Sequence, residues 1–472
     1  MSFHLTSASS VLNTDFYQIT MAAGYHLHRP EMVTCFELSL RRLPAHRHFL
    51  VAAGLHDALH YLETLHLDSQ AVDFLKKHPA LRHLPAGFFE ALEQFKFTGD
   101  VDAIPEGTVC FEHTPLLRVT TPAMQAQWVE TFLLALINYQ TNVASKAARI
   151  HNVLQGYRSG VTGKAPTFID FGSRRAQGPE AALHAARAAY LGGAIATSNV
   201  AVGYQLGIPV TGTAAHAWTM AFESEKEAFE KYHHTYPEHT VLLVDTYDTL
   251  QGVRHAIEVA GHDLKGIRLD SGDFLSLSKA ARQLLDQAGL HHTQIIVSGD
   301  MNEERIQKLL AAGAPIDSFG VGTELTTCRD TPSLGGVYKL VEQVASPGQT
   351  PEYAIKSSAN KISYPGQKQV WRYAHKGVFQ QDLVTLTGET PPPAEMCEQP
   401  HDSITPLLVP VMRQGQRCAP SLSLATLQEH VLSQLNQLPA ELRTLEPPQA
   451  YPVMIHPGLK DLYQSLEARN AQ

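Results

Sequence analysis

One pattern repeats along the chain from Pro166 to Thr323: a short apolar run ends in polar or glycine residues, and a stretch with helical periodicity follows. The runs are PTFIDFGSRR (166–175), GGAIATSN (192–199), PVTGTAAH (209–216), VLLVDTYD (241–248), KGIRLDSGD (265–273), QIIVSGD (294–300) and IDSFGVGT (316–323). Apolar strands that alternate with helices are typical of βα units around a parallel sheet. About seven such units, without a dinucleotide-binding fingerprint, predict a closed or nearly closed α/β barrel whose chemistry lies where the strands end.

Two glycine-containing segments at consecutive strand ends indicate a phosphate site. They are SGDM (298–301) and FGVGTEL (319–325). Glycine lets backbone N–H groups approach an anion closely, and the last two strand ends of such barrels are the usual place for a phosphate. The alternative is that these glycines only form tight turns between strand and helix.

Charged side chains stand at two further strand ends. Arg174 and Arg175 end one run, and another contains Arg268, Asp270 and Asp273. A guanidinium group matches the geometry of a carboxylate or phosphate, and carboxylates beside a diphosphate commonly hold Mg²⁺. The alternative for Arg268 and Asp270 is a structural ion pair.

A histidine, His216, ends the GTAAH run. A lone histidine at such a position is either a satisfied core residue or, on the functional face, a group for proton or phosphoryl chemistry.

The composition bears on the class of protein. The net charge of −9 and the lack of a basic cluster argue against a nucleic-acid surface. No apolar stretch reaches the length of a membrane span, and the first residues lack the order of a signal peptide. The five cysteines are scattered, odd in number and without metal-ligand spacing, which is typical of free thiols in a reducing cytoplasm.

The segments outside the repeated pattern divide into helical and β regions. The sequence predicts a capped helix at 12–25, a strand at 32–44, helices over 51–95, β structure at 97–110, a long helix at 126–150, antiparallel strands at 335–363, a linker or surface loop at 390–400 and a helix at 422–445.

Together these segments resemble the nicotinate phosphoribosyltransferase family. The resemblance is carried, in order, by LNTDFYQITMAAGY, ETFLLALINYQTNVASKAARI, FIDFGSRRAQG, ATSNVAVGYQLGIPVTGTAAHAW, IRLDSGD, SGDMNEERI and FGVGTELTTC. It covers the chain from near its N-terminus to about Cys328 and weakens after about Ser363, so no site residue is carried over beyond that point.

The resemblance implies a type II phosphoribosyltransferase fold, an incomplete seven-stranded α/β barrel with an additional α/β domain. With the sequence pattern, it predicts an N-terminal domain at 1–124 completed by about 335–400, a barrel domain with the active site at 125–334, and a helical tail at 401–472. It implies a homodimer in which each active site takes residues from both chains.

The implied reaction joins nicotinate to 5-phosphoribosyl 1-diphosphate and releases nicotinate mononucleotide and diphosphate, a salvage entry to NAD. ATP hydrolysis is coupled to it through a phosphohistidine, so the enzyme is both a glycosyltransferase and a ligase. Mg²⁺ is the expected cofactor and ATP the expected co-substrate.

The resemblance also assigns roles to residues. Tyr17 and Phe171 would stack on the pyridine ring, Arg268 would contact the nicotinate carboxylate or the phosphoribosyl group, and His216 would be phosphorylated. The remaining expected contacts are Arg174 with the diphosphate, Thr213 with substrate, Asp270 and Asp273 with Mg²⁺ or ribose, and Ser298, Gly299, Gly320, Gly322 and Thr323 with the 5′-phosphate.

The sequence leaves three alternative functions to consider. A nicotinamide phosphoribosyltransferase would have an aspartate near the substrate amide where this chain has Ser198, and an uncharged residue there fits an anionic substrate. Quinolinate phosphoribosyltransferases are much shorter. A catalytically inactive barrel that binds nucleotides or partners is disfavoured by the intact set of arginine, aspartate, histidine and glycine residues.

Overall fold

The central third of the chain forms a parallel sheet, and the flanking regions form sheets that are antiparallel except where the last strand, Val453–Ile455, pairs in parallel. The computed structural model describes residues 11–40, 42–356, 363–389, 396–397, 399–418, 420–446 and 450–470. In these residues, no helix is both long and apolar enough to cross a membrane.

The N-terminal region is mixed α/β. Its elements are α1 (Phe16–His28), β1 (Val33–Leu40), β2 (Leu50–Val51), α2 (Leu55–Thr64), α3 (Ser69–Lys77), α4 (Ala86–Glu93), β3 (Asp100–Ala103), β4 (Val109–Cys110), β5 (Pro115–Pro122), α5 (Ala123–Trp128) and α6 (Glu130–Gln155). Asp15 caps α1 in a capping box, as the sequence predicts. The long helix predicted at 126–150 is two helices, because the chain breaks its regular path at Val129.

The central region alternates strands and helices. Its elements are β6 (Thr167–Asp170), α7 (Pro179–Leu191), β7 (Ala196–Thr197), α8 (Val200–Leu206), α9 (His216–Met220), α10 (Glu225–Thr235), β8 (Val241–Leu243), α11 (Thr249–Ala260), β9 (Gly266–Leu269), α12 (Phe274–Gln287), β10 (Gln294–Ser298), α13 (Glu303–Ala311), β11 (Ser318–Val321) and α14 (Thr323–Thr326). A helix follows every strand, as parallel pairing requires.

The central sheet is an open barrel. Its six strands lie in the order β7-β6-β11-β10-β9-β8. The seventh predicted strand is reduced to one bridge, in which Val210 pairs in parallel with Thr197 beyond β7. Pro209 has no N–H to donate and Gly212 has no side chain to pack, so this run does not continue as a strand. The expected incomplete seven-stranded barrel is therefore confirmed, with its opening between Val210 and β8.

The C-terminal region adds strands to two sheets. Its elements are β12 (Gly336–Val344), β13 (Glu352–Tyr353), β14 (Lys368–His375), β15 (Val378–Leu386), β16 (Ser403–Pro406), β17 (Val409–Arg413), β18 (Gln416–Arg417), α15 (Leu424–Gln437), β19 (Val453–Ile455) and α16 (Pro457–Asn470). One sheet has the order β13-β12-β1-β5-β3-β17-β18 and another has the order β16-β14-β15-β19. Most of the predicted linker at 390–400 lies outside the described residues.

The helical tail predicted after residue 400 is wrong in part. Helices α15 and α16 are present, but four strands, β16 to β19, lie in the same interval. Strands β17 and β18 complete the N-terminal sheet, so that domain draws on residues beyond 400 as well as on β12 and β13. Short strands of two to five residues leave little periodic signal in a sequence, which is why the helices alone were predicted.

Helix α6 joins the two main hydrophobic cores. Its N-terminal half contributes Leu133 and Ile137 to the core beside the antiparallel sheet, and its C-terminal half contributes Val143 to the core of the open barrel. The chain after α7 approaches so closely that a Cβ on Gly192 would lie 2.4 Å from the carbonyl oxygen of Ala144. This packing holds α6 firmly behind the barrel strands.

Candidate active site

The functional side chains predicted from the sequence lie mainly at one edge of the open barrel. Phe171 follows β6, Ser198 follows β7, Arg268 lies in β9, Ser298 ends β10 and Gly320 lies in β11. Because parallel strands present their carboxyl ends at one edge, residues far apart in sequence meet there.

Arg268 is the centre of this edge. Its Nε donates to Oγ of Ser298 at 2.7 Å, its Nη1 to Oγ1 of Thr213 at 2.8 Å, and its Nη2 to Oδ1 of Asp270 at 2.7 Å. Ser298 also donates to the same Asp270 oxygen. Each terminal guanidinium nitrogen keeps one further N–H, so the group is fixed in place and still has donors for an anion.

Phe171 provides an aromatic face beside this arginine. The guanidinium carbon of Arg268 lies 5.5 Å from the centre of the Phe171 ring. The ring rests on Gly320, where a Cβ would lie 2.5 Å from the ring atom Cδ2. A cationic group beside an accessible aromatic ring suits a flat ligand that carries a negative charge.

His216 begins α9 and faces the same edge. Its Nδ1 lies 3.1 Å from Oγ1 of Thr246, and its Nε2 lies 3.9 Å from Oδ2 of Asp270. Burial alone would raise the pKa of Asp270, but hydrogen bonds from Ser298 and Arg268 outweigh it and hold the pKa below its ordinary value. The carboxylate therefore stays ionised next to the imidazole ring.

A further aspartate, Asp245, supports the site and was not among the predicted residues. Its Oδ2 accepts hydrogen bonds from the backbone N–H of Asp270 at 3.0 Å and from Oγ of Ser271 at 2.6 Å. Its Oδ1 is buried and has no hydrogen-bond partner in the described part of the chain. The signal for it was an acid at the end of the VLLVDTYD run, at a position equivalent to Asp270 in the next strand.

The two glycine loops lie side by side because β10 and β11 pair in parallel. Gly299 has φ +96°, a conformation that favours glycine, and a Cβ there would lie 2.3 Å from the carbonyl oxygen of Asp270. Gly322 and Thr323 connect β11 to α14. The structure thus brings Ser298, Gly299 and the Gly320–Thr323 turn together, as predicted.

Ser198 lies next to the strand that carries Phe171. Its backbone N–H donates to the carbonyl oxygen of Asp170 at 2.9 Å, and its side chain is exposed. Oδ2 of Asp170 accepts from Thr197 at 2.7 Å and Oδ1 accepts from the N–H of Gly172 at 2.8 Å. These bonds tie the ends of β6 and β7 together, which fixes an uncharged hydroxyl at this edge.

Tyr17, Arg174 and Asp273 lie apart from the Arg268 network in the described part of the chain. Tyr17, in α1, accepts a hydrogen bond from Gln18 at 3.3 Å, and among the described residues its ring makes no ring contact with Phe171. Arg174 is exposed, in a 3₁₀ turn, without a side-chain partner in the described ranges. Asp273 is exposed and caps α12 by accepting from the N–H of Leu275. Their roles toward a ligand stay predictions.

Over the described residues, no group of three or more histidine, cysteine or acidic side chains is arranged to hold a metal ion. The carboxylates of Asp245 and Asp270 are the acidic oxygen donors close to Arg268 and His216. One or two carboxylates are sufficient for Mg²⁺ when substrate phosphates and water supply its other ligands. This donor set fits a metal that arrives with a phosphorylated substrate.

Three family models match the chain in succession. The nicotinate phosphoribosyltransferase N-terminal domain matches residues 12–138, the nicotinate phosphoribosyltransferase family matches residues 167–345, and the nicotinate phosphoribosyltransferase C-terminal domain matches residues 367–463. The third match extends the similarity well past Ser363, where the sequence motifs had weakened.

Curated relatives are similar over nearly the whole chain. Nicotinate phosphoribosyltransferase pncB2 of Mycobacterium tuberculosis is 43% identical over 453 residues, covering 94% of this chain and 91% of the relative. The Bacillus subtilis nicotinate phosphoribosyltransferase is 37% identical over 465 residues, covering 94% and 92%. The human protein of the same name is 31% identical over 535 residues, covering 98% and 97%.

Solved structures share the architecture. Human nicotinic acid phosphoribosyltransferase superposes with a TM-score of 0.81 at 30% identity, covering 96% of this chain and 99% of that one. The nicotinate-nucleotide pyrophosphorylase of Pyrococcus furiosus superposes with a TM-score of 0.73 at 21% identity, covering 93% and 98%, and supports the fold alone.

Proposed function

This chain belongs to the nicotinate phosphoribosyltransferase family, and we propose from that premise that it joins nicotinate to 5-phosphoribosyl 1-diphosphate. The products are nicotinate mononucleotide and diphosphate, so the protein would return nicotinate to the NAD pool. The single observation that supports this best is Arg268, held by three hydrogen bonds beside the Phe171 ring with N–H groups still available.

Nicotinate carries a negative charge on a flat ring, and the site is matched to both features. The pyridine ring would stack on Phe171, and its carboxylate would face the free N–H groups of Arg268. Ser198 brings no negative charge to the adjacent strand end, which favours nicotinate over a substrate with a neutral amide. Nicotinamide phosphoribosyl transfer is therefore the less favoured alternative.

The reaction forms a bond between the pyridine nitrogen and the anomeric carbon while the bond from that carbon to diphosphate breaks. The ring nitrogen is already unprotonated at neutral pH, so no general base is needed. Catalysis would come from holding the ring in line and stabilising the departing diphosphate. In the proposed arrangement, Arg174 neutralises charge on the diphosphate, and the two glycine loops with Thr323 bind the 5′-phosphate.

Mg²⁺ would be held by Asp270, with Asp245 behind it and Asp273 as a further candidate. When bound, it would neutralise charge on the diphosphate oxygens. The buried Oδ1 of Asp245, which lacks a hydrogen-bond partner among the described residues, supports this assignment because a buried carboxylate oxygen requires a donor or a metal ion as its partner.

We extend the proposal to ATP through His216. Nε2 of His216 would attack the γ-phosphorus of ATP, the bond from that phosphorus to the bridging oxygen would break, and ADP would leave. Water would later hydrolyse the phosphohistidine. The engagement of Nδ1 by Thr246 supports this assignment because it leaves Nε2 as the reacting nitrogen. Coupling requires that the phosphorylated form bind the phosphoribosyl donor more tightly than the free form does.

The homodimer with shared active sites is part of the same proposal. Support comes from apolar side chains around the barrel opening that a single chain leaves exposed: Val200 is 70% exposed, Tyr204 91% and Met220 66%. An exposed apolar surface of this kind is typical of a protein contact. Tyr17 is half exposed, and Tyr17 of the partner subunit would supply the second aromatic face opposite Phe171.

The test of the proposed function is the Arg268→Ala variant. We expect at least about a hundredfold loss of nicotinate mononucleotide formation, a typical cost for removing a group that positions charge in a site. Arg254→Ala, an exposed position on the outer helix α11, is the control and should keep full activity. Full turnover in a folded Arg268→Ala variant would refute the assigned role of this arginine.

A further inference from the structure

A buried group of charged side chains lies behind the two glycine loops, between them and helix α6. We call it the α6 charge cluster, and its members are Arg47, Lys146, Arg149, Glu303 and Asp330. Three cations face two carboxylates, and the side chains of Arg47, Lys146 and Glu303 are almost completely buried. A buried charge group of this size is costly to desolvate unless its members are well paired.

Lys146 connects the two carboxylates of the cluster. Its Nζ lies 3.0 Å from Oε2 of Glu303 and 2.7 Å from Oδ1 of Asp330. The other oxygens are taken by different cations: Arg149 lies 3.1 Å from Oε1 of Glu303, and Arg47 lies 2.9 Å from Oδ2 of Asp330. In the described residues, Lys146 is the one side chain that contacts both carboxylates.

Each carboxylate lies in the segment that follows one glycine loop along the chain. Glu303 is the first residue of α13, directly after the loop that begins with Ser298 and Gly299. Asp330 ends the turn 327–330, which follows α14, the short helix capped by Gly322. The two loops come from separate strands, so their relative position depends on contacts that join the segments behind them.

The ionisation of Lys146 and Asp330 strengthens the contact between them. Burial alone would lower the pKa of Lys146, but Glu303 and Asp330 outweigh burial and raise it. Burial alone would raise the pKa of Asp330, but Arg47 and Lys146 outweigh burial and lower it. Both groups are therefore ionised near neutral pH, and the contact between them is a charged one.

We infer that Lys146 is a positioning residue that sets the spacing of the two glycine loops, and through them the affinity of the site for the 5′-phosphate of the phosphoribosyl donor. The inference rests on the proposed function for the identity of the ligand. It adds to that function a residue of α6 that acts on the ligand only through the glycine loops. A backbone cradle binds a phosphate well only if its N–H groups are held at fixed positions.

A matched pair of variants distinguishes a cluster that only stabilises the fold from one in which Lys146 positions the glycine loops. Lys146→Met leaves each carboxylate with one arginine, Arg149 for Glu303 and Arg47 for Asp330. Arg149→Met removes one buried cation as well, but it leaves Lys146 joined to both carboxylates. Both variants lose one buried charge, and only Lys146→Met removes the side chain that contacts both carboxylates.

The experiment measures binding of ribose 5-phosphate and of inorganic diphosphate to the two variants and to the unchanged protein. We expect Lys146→Met to bind ribose 5-phosphate at least about tenfold more weakly, or roughly 1.4 kcal/mol, with its affinity for diphosphate unchanged. Arg149→Met should bind both ligands as the unchanged protein does. In turnover assays, Lys146→Met should raise the KM for 5-phosphoribosyl 1-diphosphate while kcat and the KM for nicotinate stay close to normal.

Unchanged affinity of Lys146→Met for ribose 5-phosphate, or an equal loss in Arg149→Met, would overturn the inference. If Lys146→Met does not fold, Asp330→Asn takes its place, because the Asp330 side chain is 20% exposed and its loss is easier to accommodate. This variant should show the same selective loss. Failure of the unchanged protein to form nicotinate mononucleotide would refute the proposed function instead, since ribose 5-phosphate binding is measured without turnover.

Discussion

Nε2 of His216 lies 3.9 Å from Oδ2 of Asp270. The other oxygen of the same carboxylate accepts from Arg268 at 2.7 Å, so Asp270 stands between the arginine proposed to hold nicotinate and the histidine proposed to be phosphorylated. A charge change on the imidazole ring would act on Asp270 directly. Phosphorylation of His216, as proposed, would thereby influence the binding of nicotinate at Arg268.

Replacement of His216 should separate ATP use from synthesis. His216→Ala is expected to abolish ATP hydrolysis and the stimulation of synthesis by ATP, and to leave ATP-independent formation of nicotinate mononucleotide, because the transfer itself does not need the imidazole. Incubation with γ-labelled ATP should leave acid-labile, base-stable label on the unchanged protein only. Label that persists in His216→Ala would place the phosphorylated residue elsewhere.

The Phe171 ring depends on the missing side chain of Gly320. A methyl group at Gly320 would lie 2.5 Å from the ring, so Gly320→Ala must displace it. We expect the KM for nicotinate to rise about fivefold or more, since a misplaced stacking group costs roughly 1 kcal/mol or more. Gly335→Ala is the control, because nothing lies within 4 Å of a Cβ there. Equal KM values for the two variants would show that Phe171 does not stack on the substrate.

His151 in α6 should make the protein sensitive to acid. Burial lowers its pKa from 6.5 to about 4, so between these values the unfolded chain binds a proton that the folded chain does not. Stability contributed by the neutral ring is therefore lost as the pH falls from 6.5 toward 4. Between pH 8 and pH 5, we expect the free energy of unfolding to fall by about 2 kcal/mol more than in His151→Gln. Urea unfolding at both pH values checks this, and equal losses in the two proteins would contradict it.

Much of the fold could be predicted because its strands are marked by strong local patterns. The runs that contain Phe171, Arg268 and Ser298 form strands of one parallel sheet, and their polar ends meet as expected. The antiparallel strands predicted at 335–363 are present as β12 and β13, but the strands after residue 400 could not be found in the same way. β17 and β18 are five and two residues long, and β17 pairs with β3 through a long-range contact that no local pattern encodes.

The candidate site shows the same division between local and long-range information. Arg268 and Asp270 could be assigned because they stand together in one motif. Asp245 was missed because its role in the site depends on the register of β8 against β9. That register brings its carboxylate within hydrogen-bond distance of the backbone N–H of Asp270. Lys146 was missed because its partners lie more than 150 residues away in sequence, in segments that come together only in the folded chain.

The most direct test of the account is the rate of product formation by the purified protein with nicotinate and with nicotinamide, each with 5-phosphoribosyl 1-diphosphate. Arg268 beside the Phe171 ring and the uncharged Ser198 predict that nicotinate is used at least about a hundredfold better, a typical cost for leaving a buried charged group unpaired. Comparable rates with the two substrates, or turnover of nicotinamide alone, would contradict it.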